Sequence, residues 1–113
     1  MELFDLIVEA YENTPRGHTD IEVKPGVSSR IFFKKVSLDD MEAVKRKHGE
    51  FLGASNTNAM LEMIVRKAEK EDGSKMFSLE QLVQLRHKLD PLIAAKVYRA
   101  IMEGPSVEDH VKN

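Results

Sequence analysis

The histidines are the side chains best suited to bind a metal ion or to transfer a proton near neutral pH. The sequence has four of them: His18, His48, His87 and His110. None belongs to an HExxH motif, and none has the paired spacing of metal ligands. The absence of cysteine excludes thiolate ligands and disulfide bonds. We therefore predict no metal site.

Neighbouring carboxylates could also do chemistry, either as acid–base pairs or as cation ligands. Asp39 and Asp40 closely follow Ser37, and the start of a helix explains acidic residues there. The run Glu71-Asp72-Gly73-Ser74 resembles a cation-binding loop, but it lacks the alternating oxygen ligands of an EF-hand, and lysines flank it. The GxSxG, Walker and GxGxxG motifs are also missing. The sequence therefore predicts a protein that is not an enzyme, with no catalytic residue and no cofactor.

Length and composition indicate a small globular protein. The chain has 113 residues, 42% hydrophobic and 32% charged, with a formal net charge of -2. We expect a single domain at residues 1–105 and a polar C-terminal tail at 106–113. The charge balance lacks the basic excess typical of nucleic-acid binding, and no apolar run approaches the roughly 20 residues that span a bilayer. Because the N-terminus is acidic where a secretory signal is basic, we predict a cytoplasmic protein that does not bind membranes.

The elements that would position functional residues begin with a helix at residues 2–12, which ends at the Asn13–Gly17 break. Its apolar residues recur at three- and four-residue spacing, namely Leu3, Phe4, Ile7, Val8 and Tyr11. Two interpretations are open. The helix packs on its own domain, or it is a detachable amphipathic segment that docks on a partner.

A β-hairpin is predicted at residues 19–36, around the turn Pro25-Gly26. Alternation places Ile31 and Phe33 on one face and Phe32 on the other. Since a two-stranded hairpin is marginal alone, we expect the helices to cover one face. A second copy of the chain could cover the other.

Two helices follow. Ser37 starts the first, which ends at Gly49, and a loop at 50–57 carries Phe51 and Leu52 as buried anchors or partner contacts. The next helix starts at Asn56 or Thr57 and ends at Glu71-Asp72-Gly73. Its predicted core stripe is Met60, Leu61, Ile64, Val65 and Ala68, with an opposite charged face that includes a Glu62–Arg66 pair.

The last two helices have the clearest boundaries. Ser78-Leu79-Glu80-Gln81 is a capping-box pattern that starts a helix to Leu89. Asp90-Pro91 then starts the final helix, which ends at Gly104-Pro105. Its core stripe is Ile93, Val97, Ala100 and Ile101. The predicted fold is therefore α+β and predominantly helical, with an N-terminal helix, one β-hairpin and then about four helices.

The last helix pair has the spacing of a helix-turn-helix, which raises the alternative of a small DNA-binding regulator. The second helix offers Lys96, Tyr98 and Arg99 as polar contacts, but most of its residues are apolar. Burial within a helical domain fits this composition better, so nucleic acid is not the expected partner.

The order of four segments resembles the tail assembly chaperones of long-tailed bacteriophages and prophages. An apolar helix that ends in basic residues and alanine (59–68) leads into an acidic-glycine turn, and an aromatic residue then precedes a capped helix (71–80). A basic segment reaches Asp90-Pro91 (85–91), and an apolar helix follows (93–97). The upstream hairpin and its capped helix (31–44) are also similar, so the resemblance covers roughly residues 20–103.

This resemblance implies a non-enzymatic role in tail assembly. Such chaperones bind the tape measure protein and keep it soluble and extended while tail tube subunits polymerise around it, and they are absent from the mature virion. A frameshifted longer form can carry an extension that binds the tail tube protein. A structural virion component, such as a connector or tail accessory protein, remains an alternative. We also expect a homo-oligomer, in which copies associate along the client. The residues we predict to contact partners are Phe4, Ile7, Phe32, Phe51, Leu52, Met76, Tyr98 and Met102.

Overall fold

The computed structural model describes residues 2–52 and 55–105. The α+β, predominantly helical fold is confirmed, with an N-terminal helix, one hairpin and four further α-helices. The predicted polar tail at 106–113 lies outside the described residues. The elements are α1 (Leu3–Asn13), β1 (Gly17–Lys24), β2 (Val27–Phe33), α2 (Leu38–His48), α3 (Thr57–Lys67), a short 3₁₀ helix (Leu79–Gln81), α4 (Leu82–Lys88) and α5 (Pro91–Glu103).

The core lies between one face of the hairpin and the helices. β1 and β2 pair in antiparallel orientation, with Thr19 opposite Ile31. Ile31 and Phe33 are buried on the same face, as alternation predicts. β1 packs on α5, α5 packs on α3, and α3 packs on α2. Since the hairpin and three helices enclose this core, α1 and α4 contribute no buried residue to it.

The first residue of β1 must be small because an aromatic ring lies against it. A Cβ atom at Gly17 would lie 2.6 Å from Cε1 and 2.9 Å from Cζ of Phe33, whose side chain is buried. We predict that Gly17→Ala destabilises the protein by about 1–3 kcal/mol, because the ring has to shift within a packed core. Urea unfolding measures this loss. The exposed Ser28→Ala in the same hairpin is the control, with an expected change within about 0.5 kcal/mol. A Gly17→Ala variant as stable as the wild type would mean that the ring has room to move.

The predicted solvent face of α3 is wrong. Glu62 and Lys67, which periodicity places on an exposed charged face, are buried along with most of the apolar stripe, of which Met60 is only partly buried. The predicted Glu62–Arg66 pair does not form, because Arg66 Nε bonds to Asp40 at 2.7 Å and Glu62 bonds to residues of α2. The reason is that α2 packs against this side of α3 and supplies opposite charges. α3 is therefore the central helix of the fold.

Two ionic clusters join α2 to α3. In the first, the buried carboxylate of Asp40 accepts hydrogen bonds from Lys67 Nζ at 2.8 Å, from Arg66 Nε at 2.7 Å and from the backbone N–H of Ser37 at 2.9 Å. Burial alone would raise the pKa of Asp40, but these donors outweigh burial and hold the pKa well below its usual range. In the second, Glu62 bonds to His48 Nε2 at 3.0 Å and Lys47 Nζ at 3.2 Å. Both clusters therefore link α2 to α3 through paired charges.

α3 ends four residues before the predicted glycine turn. Its last residue is Lys67, and Gly73 lies in a tight turn further along the chain with φ of +89°. The early end is explained by Glu69, which exchanges two backbone hydrogen bonds with Phe32 at 3.0 and 2.8 Å and so extends the edge of β2. Arg16 stabilises this junction, because its Nη1 donates a hydrogen bond to Glu69 Oε1 at 3.1 Å. A long-range backbone pairing therefore overrides the local helix signal.

The cap of α5 forms as predicted, whereas the capping box at Ser78 starts the short 3₁₀ helix, and α4 begins only at Leu82. The side chain of Gln81 accepts a hydrogen bond from the backbone N–H of Ser78 at 2.9 Å, and Asp90 caps α5 by accepting from Leu92 N–H at 2.7 Å. On α5, Val97 and Ile101 are buried, together with Ala94, while the predicted Ile93 and Ala100 are only partly buried. The predicted core stripe of α5 is therefore correct at Val97 and Ile101, but Ala94 is buried in place of Ile93 and Ala100.

Candidate partner-binding surfaces

The charged side chains that lie closest together form ion pairs with one another. A depression of about 330 Å³ is lined by Asp40, Glu62, Arg66 and Lys75, among others. The two carboxylates are the centres of the ionic clusters, and Lys75 Nζ donates to the backbone oxygen of Arg66 at 2.6 Å. Within residues 2–52 and 55–105, every buried side-chain N or O atom has a hydrogen-bond partner. The same part of the chain holds no group of three or more His, Asp or Glu placed for a metal ion. These polar groups therefore pair with one another across α2 and α3.

The apolar face of α1 is exposed. The exposed fraction is 72% for Phe4 and 60% for Ile7, and no residue of the helix is buried. The interpretation that α1 packs on its own domain is therefore wrong, because the hairpin and the other helices already fill the core. None of the described helices is long and apolar enough to cross a membrane. The surface of α1 consists of a wide apolar face, formed by Leu3, Phe4, Leu6, Ile7, Val8 and Tyr11, and an acidic face, formed by Glu2, Asp5, Glu9 and Glu12.

A second apolar surface lies beside α2. Leu38 and Leu52 flank a groove of about 380 Å³, and Met41 and Phe51 also line it; we call this the α2 groove. Leu38 is 87% exposed and Leu52 is 58% exposed. The groove is also lined by charged residues, of which three are acidic and one is basic: Asp39, Glu42, Glu50 and Lys45. The α2 groove is thus an apolar slot with an acidic excess around it.

A third apolar surface follows α4. Leu79 and Val83 are exposed by 64% and 55%, and α4 has no buried residue. We call these two exposed side chains the α4 surface. A separate groove of about 390 Å³ also borders α4, and neither Leu79 nor Val83 lines it. The last turn of α4 is basic, with Arg86, His87 and Lys88. The groove is lined by Met76, Phe77, Gln81, Gln84, Leu85 and Lys88.

The eight residues predicted to contact partners fall into three groups. Phe4, Ile7 and Leu52 are exposed. Phe51 is only 5% exposed and belongs to the core, so its predicted role is corrected to that of a buried anchor that supports Leu52. The other four are half-buried: Phe32, Met76, Tyr98 and Met102. Of these, Met76, Tyr98 and Met102 pack against the core.

Phe32 and Tyr98 are covered by their own chain to different extents. The guanidinium of Arg16 lies 4.7 Å from the centre of the Phe32 ring, on the hairpin face for which the sequence suggests a second copy of the chain. Burial raises the pKa of Tyr98. The more accessible of the predicted contacts therefore lie on α1 and beside α2.

Several exposed apolar residues lie outside the predicted set of contacts. Neither Leu38, which is 87% exposed, nor Leu92, which is 81% exposed, is among the predicted contacts. A signal was present, because helical spacing places Leu38 beside Glu42 and Lys45, and Leu92 beside Lys96 and Arg99. An apolar residue on an otherwise charged face of a helix is the pattern to look for.

Comparison with known proteins agrees with this fold. No family model and no curated protein matches the sequence. Among solved structures, the chain is similar to the tail assembly chaperone of bacteriophage HK97, with 13% sequence identity and a TM-score of 0.52. The similarity covers 88% of this chain and 93% of that one, so it includes nearly all of both folds. The protein therefore has the fold of a phage tail assembly chaperone, as its sequence resemblance suggests.

Proposed function

We propose that this protein is a tail assembly chaperone of a long-tailed phage or prophage. It binds the tape measure protein and keeps it soluble and extended while tail tube subunits assemble. The observation that carries this proposal is the exposure of large apolar side chains in three places on a fold similar to the HK97 chaperone. A protein that holds an aggregation-prone client needs such apolar surface, surrounded by charge that keeps the complex soluble.

The α2 groove is the proposed client site. A long helical client can insert an apolar stripe between Leu38 and Leu52, in the mode by which amphipathic helices occupy grooves. Phe51 holds the loop residue Leu52 in place because its own ring is anchored in the core. Charged residues of both signs surround the groove and can pair with a mixed-charge helix.

Co-expression with the tape measure protein encoded by the same genome tests this function. We predict that the wild-type chain keeps the client soluble and co-purifies with it. The double variant Leu38→Ser and Leu52→Ser should retain at least about tenfold less client, because each buried anchor contributes on the order of 1 kcal/mol or more. The readout is the amount of soluble client per mole of chaperone after affinity purification.

The matched control is Leu92→Ser, which changes an equally exposed leucine on α5, away from the α2 groove. It should retain the client fully. Equal loss in both variants would place the client elsewhere, and a client that stays insoluble with the wild-type chain would contradict the function itself.

We also propose a place and a time at which the protein acts. A chaperone of this kind works in the host cytoplasm, can also contact the tail tube protein, and leaves before the virion is complete. Mass spectrometry of purified particles should therefore not detect it, whereas a connector or tail accessory protein would be found in stoichiometric amount.

A DNA-binding function is not proposed, because no observation favours it. The stripe of α5 is buried against α3 and β1, and Lys96 Nζ donates to the backbone oxygen of Asp20 at 2.6 Å. One of the basic residues that such a function would use therefore connects α5 to the hairpin.

A further inference from the structure

The depression of about 330 Å³ beside α2 and α3 carries more positive charge than its ion pairs use. In the first ionic cluster, Arg66 and Lys67 both donate to the single carboxylate of Asp40, which leaves one positive charge over. The second cluster is balanced, because it has one carboxylate and one lysine when histidine is counted as neutral. Lys75 also lines the depression, and it has no ion-pair partner within residues 2–52 and 55–105. We call this site, with its excess of positive charge, the Arg66 depression.

Arg66 still has hydrogen-bond donors to offer. Its Nε donates to Asp40 Oδ1 at 2.7 Å, while its two Nη atoms donate to no group in the described part of the chain. Since no buried side-chain nitrogen of that part lacks a partner, these Nη atoms reach solvent, and the side chain of Arg66 is 38% exposed. The bond to Asp40 fixes one edge of the planar guanidinium, so the free nitrogens are held in place for an acceptor with two oxygens.

A second cation lies beside this guanidinium. Lys75 Nζ is 2.6 Å from the backbone oxygen of Arg66, and one hydrogen bond uses only one of the three donors of an ammonium group. The side chain of Lys75 is exposed, so its remaining donors are accessible. The Arg66 depression therefore presents donors of two cations to a single anionic group.

The other wall of the depression is apolar. Val65 is buried, Phe77 is half-buried and Leu79 is 64% exposed, and all three line the same space. An inorganic anion would use the cations and leave this wall uncovered. A ligand that uses both walls carries a carboxylate and an apolar group next to each other, as a Glu or Asp side chain beside an apolar residue does in a protein.

The Arg66 depression and the α2 groove meet at the first turn of α2. Leu38 and Asp39 line the α2 groove, and the next residue, Asp40, lines the depression. A single segment of a partner can therefore reach both sites. The partner that the apolar α2 groove already suggests is the client of the proposed function.

We propose that the Arg66 depression binds a carboxylate of the client, carried by a Glu or Asp next to the apolar stripe that fills the α2 groove. This inference rests on the proposed function and adds a charge requirement to it. An apolar groove alone selects area and shape, whereas a charge contact also selects the register in which the client lies and disfavours segments of the wrong sign.

Two blocked dipeptides test the chemistry of the site without the client. Leucyl-glutamate has a carboxylate beside an apolar side chain, and leucyl-glutamine has nearly the same shape without the charge. NMR titration of the isotope-labelled full-length chain follows the Nε–H of Arg66 and the backbone N–H of Lys75. We expect leucyl-glutamate to bind at least about fivefold more tightly, because its hydrogen bonds join charged groups, and to lose this advantage as salt is added. Equal affinity of the two dipeptides would overturn the proposal.

Charge reversal at Lys75 extends the test to the client. Lys75→Glu should abolish the preference for leucyl-glutamate and should retain at least about threefold less tape measure protein after co-expression. Lys75 pairs with no carboxylate of either ionic cluster, so the link between α2 and α3 remains. Lys75→Gln removes the charge without adding a carboxylate, and it should show a smaller loss of the same kind if the reversal disturbs the fold.

The matched control is Lys24→Glu. It makes the same charge change at an exposed lysine beside the hairpin turn, outside the Arg66 depression. This variant should retain the client and the preference for leucyl-glutamate like the wild type. Equal loss of client in Lys24→Glu and Lys75→Glu would reduce the effect to net charge and overturn the specific site.

The remaining outcomes separate this inference from the proposed function. A wild-type chain that binds no client would contradict the proposed function and with it the client as the source of the carboxylate. If the wild type and Lys75→Glu retain the client equally, only this inference is overturned and the α2 groove keeps its role. If Lys75→Glu changes the mass of the protein in light scattering but retains the client, the carboxylate comes from a second copy of the chain, which also overturns the inference.

Discussion

Asp40→Ala is expected to destabilise the protein by about 3–5 kcal/mol, because it leaves a buried cation without its partner. Lys67 is 8% exposed, and its Nζ lies 2.8 Å from Asp40 Oδ2. Asp40 also bonds to Arg66 and closes the capping box of α2 at Ser37. One substitution therefore removes a helix cap and the link between α2 and α3. Urea unfolding followed by circular dichroism measures the loss.

The pH dependence of that loss provides a second readout. The pKa of Asp40 is lowered in the folded chain, so its contribution to stability is complete above its unfolded pKa and is lost as the pH falls. The difference between wild type and Asp40→Ala should therefore shrink as the pH falls below about 4. Asp39→Ala, on the same turn but exposed, should cost less than about 1 kcal/mol. A pH-independent difference would mean that the carboxylate contributes packing rather than charge.

Phe33→Ala is the second substitution with a large expected effect. The ring is 1% exposed and lies against Gly17 in the core beneath the hairpin. Its removal should cost about 3–5 kcal/mol, from lost burial and from the cavity that remains. Thermal unfolding and urea unfolding both measure this change.

The matched control for Phe33→Ala is the same substitution at Phe4, which is 72% exposed on α1. It should change the free energy of unfolding by less than about 0.5 kcal/mol, although it removes as much apolar surface. If Phe4→Ala destabilised the fold as much as Phe33→Ala, α1 would have to be packed on its own domain in solution.

Much of this fold follows from signals that act over a few residues. Ser37 starts α2, Asp90-Pro91 starts α5, and Pro25-Gly26 turns the hairpin, each where the sequence predicts it. These features depend on local hydrogen bonding and on restricted backbone angles, so their partners are near in sequence. The resemblance to tail assembly chaperones depends on the same capping residues and turns, and the similarity of the folds agrees with it.

The contacts that individual side chains make depend on segments that are distant in sequence. Sequence explained Asp40 as a cap, but Arg66 and Lys67 reach it from a helix more than 20 residues away. The early end of α3 likewise depends on pairing of Glu69 with β2. Neither could be predicted, because periodicity shows that a face is polar but not which neighbour will cover it.

The sequence by itself determined the order of the elements, their caps and the amphipathic character of α1. Only the tertiary structure decided that the core closes without a buried residue from α1 or α4, which leaves the apolar face of α1 and Val83 of α4 exposed. The physical reason is that an apolar stripe shows that one face of a helix must be covered. The packing of the whole chain determines whether the same molecule or another one covers that face.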